Sequence, residues 1–575
     1  MALDFRNVNS LWASVMVETL SRLGLQTAII CPGSRSTPLT YAFARHSEVE
    51  TLPILDERSA AFFALGCAKR QFRPVALVCT SGTAGANFYP AVIEAYESGV
   101  PLLLFTADRP PEMRDCASGQ TIDQQKLFGK FVQHYSEMAV PVASLAMLDY
   151  LRQTLVSGWG RAIAPHAGPI HFNCPFRDPL PPLPDGKTEQ LTSDFDEEMF
   201  FSAIAPPNPT RFQTQSIPSE TWAQCERGII IAGPTMSASA QDYCKAVSSL
   251  AHDLGWPVLA EGLSPLRNYR RLNDSLVSTY DIILRDSDRA DTLSPDVVIQ
   301  LGPLPISKVL RQWLQRHRPQ RWIIGEGKNL DPLHGPTRFL FSSVEQLAAD
   351  LKNSDPIVNT QGYLQRWLTC EQSMRQALNN RLATETALVE SKIVWLLSQH
   401  LPEHTPLFIA NSMPVRDVEY FWPTNNRQIS PAFSRGANGI DGTLSTAMGL
   451  AHHNQPTVLL TGDLAFLHDT NGLLNAGQLK GHLTVVVVNN HGGGIFEMLP
   501  ISQFEPEFEK YFVTPQSVNL FSLCKAYGVE HHLIAEVKDF IDRVENLPAH
   551  GMRVLEVVCD RQKSTLQRKT LLTSL

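Results

Sequence analysis

TVLLTGDLAFLHDTNGL, residues 457–473, is the stretch that decides the fold. An apolar run stops at Gly462-Asp463 and a longer, mixed segment follows. LTVVVV repeats the pattern and stops at Asn489-Asn490, ahead of Gly492-Gly493-Gly494. Short apolar runs that end in small or polar residues and alternate with helical stretches are the signature of a parallel α/β sheet. Ligands of open α/β sheets gather at the carboxyl ends of the strands. Function is therefore expected at those stops.

Working outward, PLFIANSMP and MRVLEVVCD complete this set, which we expect to span 375–575. TAIICPGS, PVALVCTSGT, VPLLLFTADRPP and GPIHFNCPF form an earlier set, expected over 1–185. A third lies between them, expected over 190–355: GIIIAGP, WPVLAEG, DVVIQLGP and RWIIGEG. The Pro-rich DPLPPLPDG at 178–186 reads as an extended linker, because proline fixes φ and removes donors. The stretch from about 345 to 390 reads as helical and polar. The expectation is an α/β chain of three doubly wound parallel-sheet domains.

At 575 residues the chain is too long for one core. Its formal net charge of -8 and lack of a Lys/Arg run argue against a nucleic-acid partner. No apolar run reaches the roughly 20 residues of a membrane helix. MALDFRNVNS lacks a secretory pattern. Ten scattered cysteines without a C-x-x-C pair read as free thiols in a reducing compartment, so a cytoplasmic protein is expected.

Mg²⁺ takes hard oxygen ligands in an octahedron and keeps phosphate oxygens and water in its shell. The Asp463 carboxylate, the Asn490 amide oxygen and the Gly492 carbonyl could supply the protein's share; Mn²⁺ is the alternative. The glycine run lets backbone approach a diphosphate closely. In the plainer reading, Asp463 caps a helix and Asn490 starts a turn. The two segments at this spacing resemble the GD…NN motif of thiamine-diphosphate (ThDP) dependent enzymes. One departure is Leu464, where the motif has Gly.

The resemblance implies three domains of the ThDP-enzyme type. The first binds the aminopyrimidine, and the third binds diphosphate and metal through Gly462, Asp463, Leu464, Asn490 and Gly493. Glu57, in LPILDERSAAFFALG, takes the place of the glutamate that serves N1′ of the pyrimidine. By itself it reads as a charge at a helix start. Thr80, Ser81, Gly82, Thr83 and Asn87 resemble the loop that contacts the pyrimidine, although an ordinary strand-to-helix turn is as natural. The family encloses each cofactor between subunits, which implies a homodimer or homotetramer. The middle segment has no G-x-G-x-x-G, so no flavin or dinucleotide is expected there. His452-His453 is expected in surface or packing roles.

CPGSRSTPLT, TADRPPE, ANSMPVRD and FSRGANGIDG contribute Arg35, Arg109, Arg416 and Arg435 beyond strand-like runs. Arginine pairs bidentately with carboxylates and keeps its charge when partly buried. Singly, each could be an ordinary salt bridge. With TSGTA, NCPF and VVNN-x-GG-x-IF, these segments resemble one ThDP branch, the synthases of menaquinone and phylloquinone biosynthesis. Those enzymes join 2-oxoglutarate to isochorismate, giving 2-succinyl-5-enolpyruvyl-6-hydroxy-3-cyclohexene-1-carboxylate and CO₂. The resemblance implies that Arg416, Arg435 and Ser412 hold the distal carboxylate of 2-oxoglutarate. Ser34, Arg35, Arg109 and Gln120 would bind isochorismate. Ile440 would support the bent cofactor, which Ser412 would also touch, and Ile495 and Phe496 would line the pocket. Gly119 departs from the Asn often found before Gln120, and Lys308-Val309 from Lys-Arg, leaving Lys308 as the candidate contact. Other ThDP carboligases or decarboxylases, or an inactive ThDP-fold binding protein, are the competing readings.

Overall fold

The structure is a computed structural model and describes residues 3–205, 217–325, 327–352 and 361–573. Among the described residues eighteen strands form three six-stranded sheets, and every pairing is parallel. The first sheet holds β1 (Thr27–Ile30), β2 (Glu50–Pro53), β3 (Val75–Cys79), β4 (Leu102–Asp108), β5 (His134–Glu137) and β6 (Ile170–Pro175), ordered β2-β1-β3-β4-β6-β5. The second holds β7 (Gly228–Ala232), β8 (Val258–Ala260), β9 (Leu276–Val277), β10 (Val297–Leu301), β11 (Gln320–Gly325) and β12 (Thr337–Phe341), ordered β12-β11-β10-β7-β8-β9. The third holds β13 (Pro406–Ile409), β14 (Ser430–Ala432), β15 (Thr457–Gly462), β16 (His482–Asn489), β17 (Glu530–Ile534) and β18 (Gly551–Val558), ordered β14-β13-β15-β16-β18-β17. Central strands are buried along nearly their whole length, as in VALVC of β3 and HLTVVVVN of β16. Helices cover both faces of such sheets, which is why these runs are continuous rather than alternating.

The described residues form two compact units. One takes the chain up to Thr210 with Ser434–Asn454 and His468–Lys480; the other takes the remainder, including the second and third sheets. Two stretches from the expected third segment therefore pack with the first sheet. The expected end of the central segment, 355, lies outside the described residues. The expected helical stretch contains Val344–Leu351 and Gln361–Thr384, the second of which buries Trp367, Leu378 and Leu382. In the Pro-rich break, Asn7 and Asn9 donate side-chain amides to the carbonyls of Pro181, Leu183, Arg177 and Pro179. No described helix is long and apolar enough to cross a membrane. All ten cysteines are free thiols.

The second sheet has the strand order of a dinucleotide-binding fold. Its switch point lies between β7 and β10, whose following loops approach closely. A Cβ on Gly233 would lie 1.7 Å from the Pro303 carbonyl oxygen.

Candidate cofactor and substrate site

In the first unit, Glu57 opens the helix Glu57–Gln71. Asp56 caps that helix, its side chain accepting from Ser59 N at 2.8 Å and from Asn471 Nδ2 at 2.7 Å. Glu57 itself is half-buried. The helix is seated on a second one, Thr443–Ala451, through glycine. A Cβ on Gly66 would lie 2.0 Å from Thr446 O, and one on Gly449 would lie 2.0 Å from Phe63 O. The loop before Thr443 carries Arg435 and Ile440, both half-buried. Glu94, 3% exposed, accepts from Gly436 N and Ala437 N at 3.0 and 2.7 Å and so fixes this loop.

The loops after β1, β3 and β4 carry the other first-unit candidates. Arg35 is buried; Nη1 donates to Phe176 O at 2.9 Å, and Nε has no partner among the described residues. Arg109 Nη2 donates to Gly119 O at 2.9 Å, and its buried Nε also lacks a partner. Gln120 is exposed and strapped to Ser81. Its Nε2 donates to Ser81 O at 3.0 Å and its carbonyl accepts from Ser81 Oγ at 2.9 Å. Gly82 N donates to Gln124 Oε1 at 2.9 Å. Thr80 is buried with its Oγ1 unpartnered, whereas Ser34, Thr83 and Asn87 are exposed.

In the second unit, Gly462 pairs in register with Val488, so Asp463 and Asn489-Asn490 leave adjacent strands at the same edge. Asp463 is 4% exposed, and burial pushes its carboxyl up to about 6 against the pull of the backbone N–H groups of Leu464 and Gly492. Asn490 Oδ1 is buried without a partner among the described residues. Gly492 has φ +137°, and a Cβ there would lie 2.5 Å from Val513 O. Asn489 fixes the turn: Nδ2 donates to Glu556 Oε1 at 2.6 Å and Oδ1 accepts from His491 N at 3.2 Å. A buried acid and an orphan amide oxygen at adjacent strand ends are oxygen donors of the kind that could hold a hard divalent cation. Gly493 follows in the turn, and half-buried Ile495 and Phe496 lie in the short helix Gly494–Met498. Arg561 anchors this segment through Glu497 and Glu509.

At the end of β13, Ser412 has φ +69°, a conformation that costs a residue with a Cβ roughly 1–3 kcal/mol. It begins the helix Met413–Phe421. Arg416 Nη1 donates to Ser412 O at 2.6 Å. Burial draws the Arg416 pKa down from the guanidinium value. Lys308, beyond β10, is exposed at the start of the helix Lys308–His317.

Models of the thiamine pyrophosphate enzyme family match three stretches in turn. The N-terminal TPP binding domain matches 12–127, the middle domain 208–409 and the C-terminal TPP binding domain 416–557. The chain is 56% identical over 577 residues to the 2-succinyl-5-enolpyruvyl-6-hydroxy-3-cyclohexene-1-carboxylate synthase of Gloeothece citriformis, covering 100% of this chain and 99% of that one. The chain belongs to this synthase family. Synthases of the same name from Nostoc sp. and Acaryochloris marina are each 54% identical, over 100% and 99% of this chain and 99% and 98% of theirs.

Sequence reasoning missed Glu94 and Gln124, which bond the loops of Arg435 and Gly82, and Glu390, which accepts from Asn490 Nδ2 and is held by Arg568, itself bound to Asp417. A lone charged or amide residue within a helix or loop gives no signal of that in one sequence. His452 ends the helix Thr443–Ala451, is buried against Phe63, and with His453 contacts Glu50.

Proposed function

We propose that this chain is an active ThDP-dependent synthase that decarboxylates 2-oxoglutarate and adds the succinyl unit to isochorismate by 1,4-addition. The products are 2-succinyl-5-enolpyruvyl-6-hydroxy-3-cyclohexene-1-carboxylate and CO₂, a step toward menaquinone or phylloquinone. The observation that carries this is the buried Asp463 beside the unpartnered Asn490 Oδ1, in a chain that matches the synthases from end to end.

When bound, ThDP supplies a nucleophilic carbon and takes up the electron pair left by departing CO₂. Glu57 exchanges a proton with N1′ of the aminopyrimidine. Asp463, Asn490 Oδ1 and the Gly492 carbonyl hold Mg²⁺, or Mn²⁺ in its place, and Gly493 lets the diphosphate approach the backbone. Arg416 and Arg435, with Ser412, take the distal carboxylate of 2-oxoglutarate. Ser34, Arg35, Arg109 and Gln120 take the carboxylates of isochorismate, and the unclaimed Nε groups of Arg35 and Arg109 support that role. Gln120 has to release Ser81 to do so. Ile440, Ile495 and Phe496 give apolar walls, which exclude water. We assign pyrimidine binding to 1–185 and diphosphate binding to 375–575, with no nucleotide in 190–355. Assembly is at least a homodimer with active sites between subunits, and the free thiols support a cytoplasmic location.

The test is an assay of purified protein with both substrates, with and without ThDP and Mg²⁺. Cofactor-dependent loss of isochorismate with matching CO₂ release is expected. Release of CO₂ without loss of isochorismate would leave a different ThDP carboligase or decarboxylase, and ThDP binding without turnover would leave a binding protein.

A further inference from the structure

We propose that Glu390 and Arg568 are positioning residues for the bound cation, acting by fixing the side-chain amide of Asn490. The inference rests on the cation-ligand reading of Asn490 given above. Asn490 Nδ2 donates to Glu390 Oε1 at 2.7 Å. An amide has one donating and one accepting face, and only the NH₂ face can meet a carboxylate. That contact turns Oδ1 the other way, where it is buried and unpartnered among the described residues.

Glu390 is held in turn. Its second oxygen meets Arg568 Nη2, and Arg568 also grips Asp417 through Nε at 2.7 Å and Nη2 at 2.9 Å. Glu390, Asp417 and Arg568 are 3%, 2% and 1% exposed. Two carboxylates face one guanidinium, and Arg416 brings a second positive charge beside Asp417. Asp417 lies next to Arg416 on the helix Met413–Phe421. One guanidinium therefore supports both the cation ligand and the helix that begins after Ser412. Outer partners of this kind orient metal ligands, and their loss typically costs about 10–100-fold in metal affinity.

Glu390 also opens the helix Glu390–His400, where an acid favours the helix dipole. An exchange of donor and acceptor separates the two roles. Calorimetric titration of Mg²⁺ into full-length protein with saturating ThDP is compared for wild type, E390Q, N490D and N490D/E390Q. With Asn490 in place, E390Q should weaken Mg²⁺ binding about 10–100-fold. In the N490D background the same substitution should strengthen it, because the amide now donates to the introduced carboxylate. A change of the same sign and size in both backgrounds overturns the proposal and leaves only a charge at a helix start. If E390Q does not fold, R568K carries the test: it keeps the charge and loses the two-pronged grip. Weaker Mg²⁺ binding is expected, and unchanged binding overturns the proposal. N490A tells the two readings apart. Unchanged Mg²⁺ affinity in N490A removes the cation site itself, whereas weakened N490A beside normal E390Q removes only the role of Glu390.

Discussion

The first and third sheets share one strand order and have opposite chemistry at the edge where their strands end. In each, the chain lays down one strand, adds a neighbour on one side, then crosses to build the rest on the other. The edges nonetheless collect different residues. After β3 and β4 the first sheet presents Ser81, Gly82 and Arg109, hydrogen-bond donors that reach Gln120, Gln124 and Gly119. After β15 and β16 the third presents Asp463 and Asn490, a buried carboxyl and an amide oxygen without a partner among the described residues. Topology sets where side chains converge, and a handful of terminal residues sets which charge they receive.

The sharpest way to break this comparison is Glu57→Gln. It should leave ThDP binding intact and lower turnover by about 10²–10⁴-fold, the usual loss with a general acid–base group. Near-normal turnover at saturating ThDP would remove Glu57 from the reaction. Asp463→Ala attacks the other edge. It should weaken Mg²⁺ and ThDP together by at least the roughly 10–100-fold of a lost outer partner, with no separate effect on substrate affinity. Calorimetry that shows unchanged ThDP affinity refutes the cation assignment.

Two arginines sharpen the contrast further. A charge-assisted hydrogen bond contributes roughly 1.5–3 kcal/mol, so Arg416→Ala and Arg35→Ala should each slow one step about 10–150-fold. Arg416→Ala should slow single-turnover CO₂ release from 2-oxoglutarate. Arg35→Ala should leave CO₂ release intact and slow consumption of isochorismate. Equal defects in CO₂ release would show that the arginines are assigned to the wrong substrates.

The smallest effect is in pH. Burial raises the Asp463 carboxyl from 3.8 to about 6 in the metal-free protein. The folded chain thus holds a proton there that the unfolded chain has lost, and this group's contribution to stability falls as pH rises through that window. A cation must displace the proton. Mg²⁺ affinity should therefore drop about tenfold per unit below about pH 6, and N490A should keep that slope at lower affinity. A flat wild-type profile between pH 7 and 5 would contradict the buried-acid assignment.

The strand ends were legible because TVLLTG and LTVVVV are unbroken apolar runs that stop on uncommon pairs. Their parallel pairing follows from burial on both faces. Glu390 and Arg568 were not legible. One reads as a helix-start charge and the other as a cation in the polar run RQKSTLQRK, and only packing brings them together. Gln120 was legible as a polar group in a Gly-containing loop, but its bond to Ser81 depends on a turn 39 residues away. The seating of Glu57–Gln71 on Thr443–Ala451 was hidden too, because Gly66 and Gly449 sit in helical runs where glycine carries no periodic signal.

That seating has a consequence for how the enzyme can change. Where two helices meet backbone to backbone, no rotamer sets their spacing. Swapping a neighbouring side chain leaves the spacing alone, whereas adding a single methyl group at either glycine pries the helices apart. The mount under Glu57 is tied to the loop at 434–442 at one further point, because a Cβ on Gly442 would lie 1.9 Å from the Phe62 ring. Arg435 and Ile440 can then vary only as far as Gly442 keeps its seat against that helix.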